Sequence, residues 1–98
     1  MNYNTGRDFC YTQSMILRSF SIRGYIDAAL QLAHYETDEN GMVVAEVPNA
    51  PGFFSEGKSV EEARRELADA IEGNIVLALQ LNREIPVLPG VHIEEQVA

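Results

Sequence analysis

GMVVAEVPNAPGFFSEGKSVEEA, residues 41–63, decides the reading of this 98-residue chain. The β-branched Val43, Val44 and Val47 predict a strand over 42–48. Pro48 and Pro51 remove backbone donors and fix φ, which ends that strand, and Gly52 supplies the freedom to turn the corner. Residues 53–57 follow as a short third strand. Ser59 and Glu62 then form a capping box, in which each side chain satisfies an orphan amide of a helix start, so a helix is predicted from Val60. Strand, corner, strand and capped helix thus succeed one another without a spare residue.

Upstream, Asp38-Glu39-Asn40-Gly41 has the chemistry of a tight hairpin turn, since Asn-Gly tolerates positive φ. A hairpin needs a strand on both sides. The preceding YIDAALQLAHYE is ambiguous: its Ala and Leu content suits a helix, yet Ile26, Ala28, Leu30, Leu32, His34 and Glu36 occupy alternate positions. The hairpin breaks the tie, and 24–37 is expected as the first strand. Residues 1–23 lack a sustained period of 2 or 3.6 and are expected as an irregular N-terminal arm preceding a domain over 24–98. Met15 offers an internal start, so no function is placed on 1–14.

Downstream, Val60, Ala63, Leu67, Ala70 and Ile71 recur at the spacing of one buried helix face, while Glu61, Arg65 and Asp69 lie four apart on the other. After Gly73 little polar surface is left around the axis, so Ile75, Val76, Leu79 and Leu81 are expected at an interface between copies of the chain, the alternative being that the N-terminal arm or the C-terminal strand covers them. Pro86 and Pro89-Gly90 close the following loop, and Val91, Ile93 and Val97 partly alternate with polar residues in a last strand. The order β-β-β-α-β, with one helix packed on one face of an antiparallel sheet, is an α+β fold.

The net charge is −8, unevenly spread. Up to Gly24 there are three Arg and one Asp; from Tyr25 onward there are four basic residues against fourteen acids. An acidic surface repels phosphate backbones and steers a basic partner. No direct nucleic-acid binding is expected, since the one adjacent basic pair, Arg64-Arg65, is embedded among acids. No stretch approaches the ~18 apolar residues of a membrane span, and with no signal peptide the chain is expected to be cytoplasmic. A single cysteine, Cys10, makes neither an internal disulfide nor a zinc site.

The chemistry of an enzyme is missing. Glu61, Glu62, Glu66, Asp69 and Glu72 crowd the first turns and outer face of the amphipathic helix, where carboxylates are solvated. Glu36, Asp38, Glu39 and Glu46 gather around the first hairpin, but without the spacing of a calcium loop. His34 and His92 have no neighbouring Ser or Cys nucleophile and no HxxxH spacing. No GxGxxG or GxxxxGK[ST] loop is present. No catalytic residue, cofactor or metal is expected.

The corner Ala45-Glu46-Val47-Pro48, then Pro51-Gly52, Ser55, Gly57, Ser59-Val60-Glu61-Glu62-Ala63 and Ala70-Ile71-Glu72, resembles the HicB-like antitoxin family of type II toxin–antitoxin systems. The resemblance spans about 24–98 and is most specific at 41–72. It implies a partial, degenerate ribonuclease-H-like fold without catalytic carboxylates. It also implies a partner, a small basic HicA-like toxin that cleaves mRNA. Full antitoxins of this family add a C-terminal domain that binds operator DNA, for which no sequence follows the last strand here. Met42 and Val43 depart from the pattern, standing where relatives often carry an aromatic residue. The resulting expectation is a non-enzymatic antitoxin-type domain whose Glu36, Asp38, Glu39 and Glu46 contact the toxin. The alternative is a stand-alone oligomeric protein with a structural or small-ligand role and no toxin.

Overall fold

The segment 41–63 folds as its residues dictate. In a computed structural model, which describes residues 8–13, 16–91 and 94–97, β4 (Val43–Glu46) runs into the proline corner, β5 (Phe54–Gly57) returns beside it, and α2 (Val60–Leu81) follows directly. At the corner Val47 N–H donates to the Phe53 carbonyl at 2.9 Å and Phe53 N–H to Ala50 at 3.0 Å, so the turn satisfies its own backbone. Ser59 caps the helix, its Oγ accepting from Glu62 N–H at 3.1 Å. The Glu62 carboxylate reaches back to accept from Lys58 N–H at 3.1 Å, one residue earlier than the ideal reciprocal box. Asn82, left-handed at φ 55°, ends the helix.

β3 (His34–Thr37) pairs antiparallel with β4, and β4 with β5, giving a sheet in the order β3-β4-β5. The loop between β3 and β4 is the Asn-Gly turn: Asp38 N–H donates to Met42 at 2.8 Å, and Gly41 sits at φ 82°. One face of this sheet is covered by α2. Close approach there requires Gly57, because a Cβ at that position would lie 2.6 Å from the Ala63 nitrogen. The Ser55 hydroxyl, also on β5, donates to the Ala63 carbonyl at 2.6 Å, tying the strand to the first turn of the helix.

The expected first strand over 24–37 is corrected. Residues 22–32 are a helix, α1 (Ile22–Leu32), and only the last four residues of the expected strand are extended. Two facts explain it. Ser21 caps the helix by accepting from Gly24 N–H at 3.0 Å, and Tyr25, Ala29 and Leu30 form a buried stripe at helical spacing. The hairpin does need a strand on its near side, but four residues suffice for it. The intrinsic preference of Ala, Leu and Gln for helix therefore prevails over the apparent alternation.

The arm expected to be irregular contains β1 (Asp8–Gln13) and β2 (Ile16–Ser21), paired antiparallel. The last strand, β6 (Glu94–Val97), joins β2 rather than the central sheet, making a second sheet in the order β1-β2-β6. The α+β class holds, with two helices instead of one and the long one packed on the three-stranded sheet.

The core lies between α2, α1 and the inner face of β3-β4-β5. Tyr25, Phe53, Leu67, Ile71 and Ile75 are its largest fully buried side chains. Tyr25 meets Phe20 and Phe53 edge-on at centroid distances of 6.4 and 6.1 Å, the arrangement that ring quadrupoles favour. Its hydroxyl donates to the Pro86 carbonyl at 2.5 Å, which pins the loop after α2 onto α1. Burial pushes the Tyr25 phenol up to about 12. Among the described residues no helix is long and apolar enough to cross a membrane.

Candidate partner-binding surface

Period-2 alternation sends Val43, Ala45 and Gly57 toward α2 and leaves the opposite side chains outside. The antiparallel register then lines these up in two rows across the sheet. His34, Glu46 and Phe54 form one, and Glu36, Val44 and Glu56 the other. His34, Glu36, Glu46, Phe54 and Glu56 are all exposed, and Val44 is half-buried. Phe54 is 64% exposed, whereas its neighbour Phe53 is 2% exposed, so the Phe-Phe pair supplies one ring to the core and one to the surface. The outer face thus presents Val44 on its central strand and Phe54 on the edge strand β5, with His34, Glu36, Glu46 and Glu56 at the remaining positions. Neighbouring strands lie about 4.8 Å apart, which sets Glu36 and Glu56 roughly 10 Å from each other across Val44.

Of the four carboxylates expected to contact a partner, Glu36 and Glu46 lie on this face and Glu39 is exposed at the hairpin tip. Asp38 is corrected. Its Oδ1 accepts from the backbone N–H groups of Asn40 and Met42, both at 2.9 Å, so this oxygen closes the turn. Sequence reasoning missed Glu56 and Phe54. The signal was present: with β5 antiparallel to β4, Phe54 and Glu56 fall on the same side as Glu46 by alternation alone.

The residues expected between copies of the chain also separate. Ile75 and Leu79 are core residues, at 1% and 3% exposure, which corrects their assignment to an intermolecular surface. Val76 and Leu81 do face outward, and so does Leu77. Beside Leu77, a groove of about 420 Å³ runs between the end of α2 and the loop that follows it, with Val87 on its far side. Among the described residues, no group of three His, Cys, Asp or Glu side chains is placed to hold a metal ion. His92 lies outside the described residues.

The UPF0150-like family model matches residues 24–91, from α1 through the loop after α2. The chain belongs to the UPF0150-like family. It is a HicB-like domain at that level of description. Among solved structures, this UPF0150-like chain is similar to TTHA0281 from Thermus thermophilus, with 27% identity over 69% of this chain and 86% of that one, at a TM-score of 0.63. No curated protein matches it.

Proposed function

We propose that this chain is a non-enzymatic antitoxin-type domain that binds and neutralises a small basic HicA-like mRNA-cleaving ribonuclease. The observation that carries the reading is Phe54, a ring exposed at the edge of an open sheet face, with Glu46 beside it on β4, Glu56 two residues along β5 and Glu36 on the far strand of the same face. A large ring has the apolar area to anchor an interface, and the carboxylates around it complement a basic surface and raise the encounter rate. Membership in a HicB-like family supports the same partner class. Neutralisation would be steric, by covering the ribonuclease's RNA-binding surface.

The test is capture of interacting proteins from source cells with the full chain as bait, at low and at high salt, followed by a ribonuclease-inhibition assay with whatever small basic protein is recovered. Exposed charge pairs weaken as the Debye length shortens from about 10 Å at 0.1 M salt to 3 Å at 1 M. Phe54→Ala is expected to weaken the recovered complex, and Glu46→Gln with Glu56→Gln to slow association and flatten its salt dependence. Full inhibition, with unchanged affinity and association rate, by both the single and the double variant would overturn the assignment of this face. Outward-facing Val76, Leu77 and Leu81 favour a second reading, a stand-alone oligomeric protein with a structural or small-ligand role. A small basic reading frame beside this one would favour the first reading, and its absence the second.

A further inference from the structure

We infer that the second half of α2 pairs two copies of this chain, the helices crossing antiparallel at Leu77 about a two-fold axis. The inference stands apart from the ribonuclease-binding reading, since it uses the helix and not the open sheet face. Its first support is the distribution of charge. Residues 61–72 of α2 carry seven charged side chains, Glu61, Glu62, Arg64, Arg65, Glu66, Asp69 and Glu72, whereas 73–82 carry none. A chain of net charge −8 meets its own copy with least repulsion on an uncharged surface, because a two-fold contact sets each residue near its own equivalents.

The second support is apolar exposure on that same stretch. Val76, Leu77 and Leu81 are 42%, 46% and 51% exposed, and Val87, across the adjoining groove, is 90% exposed. Leu77 belongs to both the helix stripe and the groove, so the exposed apolar residues of the helix adjoin the groove, which Asn74, Arg83 and Glu84 line as well.

The third support is shape, and it selects the antiparallel arrangement. Crossing at Leu77 brings Leu77 against Leu77 of the second copy. Four residues away on either side, Gly73 then faces Leu81 of that copy. A Cβ built at Gly73 would have no atom within 4 Å, so the backbone there is open to receive a bulky side chain. Small opposite large is the complementarity that lets two helices approach closely. A parallel pair would instead lay Glu66, Asp69 and Glu72 beside their own copies, whereas the antiparallel crossing carries Glu66 and Asp69 past the end of the other helix.

Light scattering of the full chain after size exclusion, over a range of concentrations, tests this. The expected result is a doubling of mass with concentration, and a single-chain mass for Leu77→Glu with Leu81→Glu at every concentration, its circular dichroism unchanged. A second measurement does not depend on the folding of that variant. In a Cys10→Ser background, Leu77→Cys is expected to form a disulfide-linked pair on mild oxidation, because symmetric equivalents at the crossing meet disulfide geometry, while Glu61→Cys is expected to remain single. A wild-type chain of single mass throughout, an assembly unaffected by the two glutamates, or cross-linking at 61 but not at 77 would each overturn the inference.

Discussion

The two halves of α2 are one continuous helix with two different surfaces. From Val60 to Glu72 the helix buries a single stripe, Ala63, Leu67 and Ile71, each fully buried, and turns its charges to water. From Gly73 to Leu81 it still buries Ile75, Ala78 and Leu79, yet its outer side carries Val76, Leu77 and Leu81 where the first half carries Glu and Arg. An apolar residue on a helix is therefore no guide by itself to the core. Its angular position relative to the buried stripe decides, and that position separates Ile75 and Leu79 from Val76 and Leu81.

The largest effect should come from cutting into the buried stripe. Ile71→Ala is expected to cost about 2–5 kcal/mol, the usual range for emptying a core site, whereas Leu77→Ala, measured dilute, should cost less than ~0.5 kcal/mol as a surface change. Urea denaturation of both variants checks this, and equal losses would erase the distinction between the halves. Next in size is the cap that starts the charged half: Ser59→Ala should cost about 1 kcal/mol by freeing the Glu62 amide.

The third prediction concerns the loop that leaves the apolar half. The Tyr25 phenol is raised from an ordinary value of 10.0 to about 12, so the folded state holds a proton that the unfolded chain has already lost. This contribution is fully present below pH 10 and is lost as pH rises toward about 12. Urea midpoints at pH 9 and pH 11 should show the fall in the wild type and a smaller one in Tyr25→Phe. The smallest effect is a gain. Gly73→Ala, placed in the background of Leu77→Glu with Leu81→Glu so that the single chain is measured, should add about 0.5–1 kcal/mol, because alanine is the better helix former and its methyl meets open space.

What is legible in the sequence follows the range of the physics. Turn, corner and cap are written by neighbours within a few residues: Asp38 to Met42, Ala50 to Phe53, Ser59 to Glu62. These elements stand where their residues place them. α1 is misread when the hairpin's demand for a partner strand is allowed to run back through 14 residues, although the Ser21 cap and the Tyr25–Ala29 spacing already state a helix. The β2–β6 pairing joins residues far apart in the chain, and no local pattern announces it. On the candidate surface, charge alone points to Glu36 and Glu46, while Phe54 and Glu56 need the register of three strands to be set before alternation can place them on the same side.

The hydrogen bond from Tyr25 to Pro86 spans 61 residues, far more than the turns and strand pairings of 34–57. Closing so long a loop costs chain entropy that nearby contacts do not. The hairpins and the start of α2 are therefore the elements able to assemble early, and the latch between α1 and the loop after α2 is expected to form once they are in place. A contact absent from the transition state acts on the rate of leaving the folded state rather than on the rate of reaching it. Removing the tyrosine hydroxyl is therefore expected to shorten the lifetime of each folded molecule, while changes within 41–63 are expected to slow its making.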